Sequence, residues 1–409
     1  MAGASLTTVS ALLKDLYIPP TVEQLNNEVL IVQRVEASSK ELIPGNKARI
    51  SLHKSRSGGI GDRIEDEDLP TAGNQGYSYA EFDIKYKYGR FRVTGPSMVR
   101  TSSDAQAFLS TLRGELDGLK NDLRRDLARQ CYADGSAKIA TCGVTSAATT
   151  VVLATTSGQE AIRKGHLHVG MVIDLGTAAD PTLRASARTV TGVSLANATI
   201  DISGAAVTTA GTDFVFRAGN SGNSTNGVSV REIDGLQKLV STSANTVGGI
   251  NASTSGNEYW DNLRATSVGT ITIDKILGYL NEIDAEGGDP TLWITTPGVQ
   301  RQVFNQLQAQ VRYTNSDRLS GGFKMLDVSG YPLVADKDCP NGTMFLLTEK
   351  HLKLFSDQDW HFLEEDGKVL KWVDSRDAWQ GVMARYMNLG IDRRKPQYIA
   401  SGITDSTGL

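Results

Sequence analysis

The chain has 409 residues, of which 40% are hydrophobic and 22% charged, and its formal net charge at pH 7 is -4. This composition excludes disorder for most of the chain, and no run of about 18 apolar residues predicts a membrane span. The mild negative charge also argues against a surface that wraps nucleic acid.

The motif content favours a structural or binding role over catalysis. Cys131, Cys142 and Cys339 form no Cys-x-x-Cys pair, so neither a disulfide framework nor a cysteine zinc site is expected. Gly-x-Ser-x-Gly, Walker and Rossmann patterns are missing as well. We therefore expect no enzyme activity, no cofactor and no metal. Residues 1–20 lack a basic start followed by an apolar block, which argues against a secretory signal.

Residues 1–52 are predicted to form an N-terminal arm. Apolar residues at helical spacing from Leu6 to Leu16 predict a short helix that ends at Pro19-Pro20. A short apolar run at 29–32 and a strand start at 48–52 follow. The apolar residues of such an arm need a surface elsewhere.

Residues 53–95 predict a long β-hairpin with a glycine-rich and acidic tip. Residues 55–61 are glycine-rich, residues 62–69 are acidic, and apolar and charged side chains then alternate from Tyr79 to Val93. The alternation predicts one strand with an apolar and a charged face. Because a long two-stranded hairpin is marginal alone in water, it needs support, and a neighbouring subunit is one candidate.

The charged residues of this hairpin are candidates for contacts between subunits. They are Arg56, Arg63, Glu65, Asp66, Glu67, Asp68, Lys85, Lys87, Arg90 and Arg92. The acidic run lacks the alternating ligands of a calcium loop, and the alternative for it is a solvated loop.

Residues 96–135 contain the clearest helix. A capping box begins at Ser103, leucines follow at spacings of three and four up to Leu127, and Gly135 ends the helix after about 45 Å. Gly114 and Gly118 either allow another backbone to approach closely or let the helix bend.

Residues 136–227 predict a small all-β domain that is rich in small and polar residues. The strand candidates are 150–153, 169–175, 188–193, 198–202 and 214–216, and a linker follows at 218–223. His166 and His168 lie two apart on a predicted strand and could share a metal, but no carboxylate partner is evident.

Residues 228–409 return to mixed helix and strand. Helices are predicted around 273–283 and 297–311, the second capped by Thr296 after a strand at 292–295. Residues 331–409 are strand-rich and are predicted to complete one sheet. The carboxylates at 364–366 indicate a solvated turn rather than a hydrolytic pair. The basic run 393–395 indicates either contact with DNA or salt bridges.

The order of these parts resembles the HK97-type major capsid proteins of tailed bacteriophages. Four stretches carry the resemblance. They are 86–94, like the returning strand of the extended loop; 103–134, like the spine helix; 290–297, like the strand-to-helix step of the axial domain; and 329–336 with 340–343, like the Gly-Tyr-Pro turn and its hairpin.

The resemblance implies an α+β capsid fold with an inserted all-β domain. The implied parts are an N-terminal arm (1–52), an extended loop (53–95), the spine helix and start of the peripheral domain (96–135), the inserted domain (136–227), an axial domain (228–330) and peripheral strands with the C-terminus (331–409). Some family members crosslink a lysine to an asparagine. Lys54 and Asn341 are candidates here, although neither matches a family motif and a turn explains Asn341.

The resemblance also implies a function and partners. Copies of the chain assemble through hexamers and pentamers into an icosahedral virion shell around packaged double-stranded DNA, after synthesis in the host cytoplasm. A scaffolding protein, portal and decoration protein are further implied partners. The alternatives are an encapsulin-like nanocompartment shell, a multidomain hydrolase with a carbohydrate-binding insert, and a phage tail or adhesin protein.

Overall fold

A computed structural model describes most of the chain. The described residues are 29–42, 47–96, 105–177, 183–221, 231–241, 246–310, 325–328, 330–365, 367–374 and 376–405. The predicted helix at 6–16, the capping box at Ser103 and the end of the second predicted helix at 311 lie outside them.

Five strands form the first sheet, here called sheet A. The long strand β22 pairs antiparallel with β4, β20 and β21, and β1 pairs parallel with β20. The bounds are β1 Lys40–Leu42, β4 Lys85–Thr94, β20 Leu352–Phe362, β21 Lys371–Trp372 and β22 Ala378–Ile391.

The long helix α2, Ala105–Tyr132, packs against one face of sheet A. The spacing of its leucines places them on one face, and Leu116, Leu123 and Leu127 are buried. Gly89 of β4 lies so close beneath the leucines that an added Cβ would be 2.7 Å from Leu123. The helix α1, Leu30–Ser39, completes this core, so the apolar run at 29–32 is helical and buried within its own subunit.

Six strands form sheet B, in the order β15-β23-β19-β16-β18-β17. Their bounds are β15 Leu263–Ala265, β16 Leu292–Thr295, β17 Met325–Val328, β18 Tyr331–Ala335, β19 Met344–Leu347 and β23 Tyr398–Ala400. The helices α5, Ile273–Ala285, and α6, Pro297–Gln310, pack with it, and Thr296 caps α6 by accepting from the Val299 amide at 3.4 Å. The prediction that residues 331–409 complete one sheet was therefore wrong, because these strands divide between sheets A and B.

Residues 138–217 form a closed barrel of six antiparallel strands, with its own apolar core. Gly143 donates to the Val152 carbonyl at 2.8 Å, which joins the first and last strands. Lys138 pairs with Phe216, so the chain enters and leaves the barrel at adjacent points. The bounds are β5 Lys138–Thr141, β7 Thr150–Val152, β8 Val172–Thr177, β9 Leu183–Ser194, β10 Thr199–Ile202 and β12 Asp213–Arg217, with a side pair of β6 Thr145–Ala148 and β11 Val207–Thr209.

The barrel unit is not all-β as predicted. Residues Thr155–Arg163 form the helix α3, whose Gly158 and Ala161 are buried. Its sequence, TTSGQEAIR, is short and polar, so helical periodicity does not stand out from the flanking strands.

The extended loop rises from a two-stranded ribbon, β2 Lys47–Ser55 with β3 Gly76–Asp83. The base of the ribbon meets the small hairpin of β13 Thr246–Val247 and β14 Ile250–Asn251, since Glu81 donates to the Gly248 carbonyl at 2.9 Å. The short helix α4, Leu236–Leu239, lies between barrel and hairpin in the chain.

The prediction of one alternating strand over 79–93 was wrong. The chain forms two strands that meet at Ile84 and belong to different sheets. Buried residues are even-numbered in β3 and odd-numbered in β4, so the two faces exchange at the junction. Tyr86 and Tyr88 are consequently exposed, whereas Lys87 is buried.

Neither glycine of α2 meets another backbone within the described part of the subunit. A Cβ added at Gly114 or Gly118 has no heavy atom within 4 Å. Among the described residues, no backbone uses these glycines for a close approach, and bending stays a prediction.

We expect Gly114→Ala and Gly118→Ala each to stabilise the unassembled subunit by about 1 kcal/mol, because alanine is the better helix former. Urea denaturation followed by circular dichroism measures the change. A loss of stability would show that these positions are strained or contacted. Stabilised subunits that no longer form shells would show that the helix bends during assembly.

Candidate assembly surfaces

The tip of the extended loop exposes three large apolar side chains. Residues 56–75 form no regular helix or strand. Within them Ile60, Ile64 and Leu69 are 91%, 80% and 84% exposed. Several large apolar side chains exposed on one loop indicate a surface that a partner covers.

Hydrogen bonds inside the loop hold this tip in an ordered turn. Arg63 donates through Nε to the Asp68 carbonyl at 2.8 Å and through Nη1 to the Asp62 carbonyl at 2.9 Å. The Glu67 carboxylate accepts from the Ile64 amide at 3.2 Å. Arg63 thus braces its own loop, and the acidic run lies on an exposed turn.

The outer face of β4 is a second exposed surface, here called the arginine-tyrosine face: Tyr86, Tyr88, Arg90 and Arg92. Tyr386 of β22 packs edge-on against Tyr86 and Tyr88, with ring centroids 5.1 and 6.2 Å apart. Burial and the hydrogen bond to Tyr386 raise the pKa of the Tyr88 hydroxyl. The face therefore combines ordered apolar rings with two exposed guanidinium groups.

Lys87 belongs to the inner face of β4, contrary to its prediction as a contact between subunits. Its Nζ donates to the Asp126 carboxylate of α2 at 2.6 Å, and the Lys87 side chain is buried while that of Asp126 is 12% exposed. Odd- and even-numbered residues of a strand face opposite sides of the sheet, so Lys87 lies on the face opposite to Arg90 and Arg92. Lys85, at the start of β4, is half-buried.

Asp126 is the centre of a buried charge network. Arg129 donates to it at 3.1 Å and to Glu232 at 2.5 Å, and Arg217 of the barrel lies 3.5 Å from it. Burial alone would raise the pKa of the Asp126 carboxyl, but Lys87, Arg129 and Arg217 hold it far below its usual range. The network ties α2, sheet A and the barrel together.

The leucine pattern of α2 did not indicate that Arg129 and Asp126 belong to a buried network. A signal was present, because Asp126 lies between the buried Leu123 and Leu127 and so falls at the edge of the apolar stripe. Its distant partners come from β4 and from the barrel, and a sequence pattern does not show which distant cations converge.

Residues of the basic run 393–395 form hydrogen bonds and an ion pair within the subunit. Arg394 is fully buried and donates to the carbonyls of Leu239 and Trp260 and to the Asn262 side chain, at 2.9–3.0 Å. Lys395 pairs with Glu286 at 2.9 Å. The alternative of DNA contact is wrong for Arg394, because its guanidinium has no access to a partner.

Two other candidates lie in ordinary turns. Glu365 and Lys368 exchange backbone hydrogen bonds across the tight turn that contains Gly367. Asn341 donates its amide to Glu160 of α3 at 3.0 Å, which joins the barrel unit to the turn before β19. Crosslinking through Lys54 and Asn341 stays a prediction.

His166 and His168 line a cavity of about 170 Å³ with Asp122 and Asp126, so the structure supplies carboxylates that the sequence did not reveal. In the described part of the chain, no three His, Cys, Asp or Glu side chains are arranged to hold a metal ion. None of the helices described is both long and apolar enough to cross a membrane.

No protein-family model and no curated protein matches this chain. Among solved structures, the capsid asymmetric unit of cyanophage A-1(L) matches with a TM-score of 0.53 and 13% identity, over 91% of this chain and 93% of that chain. This chain has the fold of a phage capsid protein. The α+β capsid fold predicted from the HK97-type resemblance is confirmed.

Two further solved structures match this chain with lower TM-scores. The holo-SrpI encapsulin complex from Synechococcus elongatus PCC 7942 matches with a TM-score of 0.46 and 10% identity, over 92% of this chain and 90% of that chain. A structure from Mycobacterium phage Bobi matches with a TM-score of 0.44 and 10% identity, over 99% and 100%. At such identities the likeness concerns the fold, and function depends on the surfaces described above.

Proposed function

We propose that this chain is a major capsid protein, which self-assembles through hexamers and pentamers into an icosahedral shell around packaged phage DNA. One observation carries the proposal. The ordered loop 56–75 presents three exposed apolar side chains that the described part of its own subunit leaves uncovered. Only association gives such a surface an apolar environment.

The loop tip and the arginine-tyrosine face carry opposite charges, and both also expose apolar groups. Four carboxylates, from Glu65 to Asp68, lie beside Ile64 and Leu69, whereas Arg90 and Arg92 lie beside exposed tyrosines. We propose that the tip of one copy docks on this face of a neighbouring copy. Arg56 and Lys85 would lie at the margins of the same contact.

Electron microscopy of the purified protein, beside a sedimentation profile, tests the function. Closed shells or capsomer rings are expected, and shells that contain DNA are expected from phage-infected cells. Shells filled with cargo protein would instead support an encapsulin-like compartment. Monomers alone, even beside a cognate scaffolding protein, would contradict the proposal.

We further propose that the barrel 138–217 lies on the outer surface, and a shell with barrels lining its lumen would contradict that placement.

Reversing the charge of the arginine-tyrosine face tests the docking. Arg90→Glu with Arg92→Glu places like charges opposite the acidic tip, and we expect assembly to need at least about tenfold more protein. Adding Glu65→Lys with Asp68→Lys restores attraction and should recover assembly. Lys368→Glu, an exposed charge in a turn elsewhere, serves as the control. Failure of the compensating pair in a folded subunit would show that the two surfaces do not meet.

A further inference from the structure

A small cavity lies where the C-terminal half of α2 meets the barrel. Its volume is about 170 Å³, room for about five waters. Three arginines and two histidines line it: Arg125, Arg129, Arg217, His166 and His168. Asp122 and Asp126 also contribute to its wall.

One hydrogen-bond donor of Arg129 is buried and unpaired among the described residues. Its side chain is 7% exposed, and Nη2 makes its bonds to Asp126 and Glu232. Nη1 is buried and has no hydrogen-bond partner among the described residues, whereas Nε of Arg217 lies 3.5 Å from the Asp126 carboxylate. A buried donor without an acceptor costs free energy, and an oxyanion is a strong acceptor for a guanidinium N–H.

The carboxylates of the wall do not cancel this positive charge. Asp126 accepts from Lys87, which does not line the cavity, as well as from Gln130 and Arg129, so Lys87 offsets its charge from outside the cavity. Asp122 is exposed at the rim. Burial and the nearby cations Arg129, Lys164 and Lys337 lower the pKa of His166 to about 3. These nearby cations would repel a metal cation and attract an anion.

We propose that this cavity binds a single phosphate group, with Arg129 as the buried donor, Arg217 as a partly exposed cation, and Arg125 and His168 at its mouth. The volume admits a phosphate and a few waters but not a nucleoside. The phosphate can be inorganic phosphate or one backbone phosphate of a nucleic acid. Bound phosphate would hold the barrel against α2.

The test uses the full-length protein at constant ionic strength. Equilibrium dialysis with radiolabelled inorganic phosphate should show saturable binding of one ion per subunit, and phosphate should raise the unfolding temperature above that in matched chloride. Arg125→Ala and His168→Ala change exposed side chains, so the fold should persist and phosphate affinity should fall at least fivefold. Arg163→Ala, an exposed cation of α3 outside the cavity, should bind as the wild type does.

Competition with an oligonucleotide distinguishes free inorganic phosphate from a nucleic-acid backbone phosphate as the ligand. Displacement of labelled phosphate by a short single-stranded DNA in the wild type, weakened in Arg125→Ala, would identify a backbone-phosphate site. Binding of inorganic phosphate without such displacement would identify a site for the free ion. The proposal is overturned by the absence of saturable phosphate binding, or by equal losses in Arg163→Ala and the two cavity variants.

Discussion

Replacing Ile60, Ile64 and Leu69 by serine is expected to abolish shell assembly while leaving the subunit folded. These side chains are exposed in the subunit, so the free energy of unfolding should change by less than about 0.5 kcal/mol per site. In a shell, burial of each would contribute about 1.5–3 kcal/mol. Their loss should raise the concentration needed for assembly by roughly a thousandfold or more.

Sedimentation velocity over a concentration series measures this effect, and thermal unfolding followed by circular dichroism verifies the fold. Val144→Ser is the matched control, because Val144 is a similarly exposed apolar residue on the barrel unit. The control should assemble at the wild-type concentration. A triple variant that also does so would mean that the loop tip is not buried between subunits.

Asp126→Asn is expected to cost the subunit about 3–5 kcal/mol, because it leaves Lys87 buried without its carboxylate. Urea denaturation of the unassembled subunit, in the triple-serine background, measures the loss. Lys371→Met removes a partner from the more exposed pair with Glu365 and should cost no more than about 1 kcal/mol. Equal costs for the two variants would show that the Asp126 network does not stabilise the fold.

Asp126→Asn should also change how the stability of the subunit depends on pH. Folding lowers the pKa of Asp126, so this carboxyl stabilises the subunit above its unfolded pKa of about 4 and loses that effect as the pH falls. Between about pH 5 and about pH 2 the wild type should therefore lose stability more steeply than Asp126→Asn. Parallel acid-unfolding curves would mean that Asp126 has an ordinary pKa in the folded subunit.

Several elements were predictable from local pattern alone. The leucine spacing located α2, and Thr296 followed by Pro297 located the start of α6. The glycine-rich and acidic composition of 55–69 predicted an exposed loop tip. Each of these depends on residues within one or two turns of each other, where spacing fixes which side chains share a face.

The sequence by itself thus determined the long helix, the extended loop and the order of parts on which the capsid resemblance depends. The tertiary structure decided which face of each strand is buried and which charged residues pair. The junction at Ile84 reverses which residues of β4 are buried, and it turns Lys87 from a surface charge into the partner of Asp126. Arg394 was similarly converted from a candidate for DNA contact into a buried donor to three distant acceptors. The physical reason is that burial of a charge depends on counter-charges and carbonyls brought from distant segments, and these meet only when the whole chain has packed.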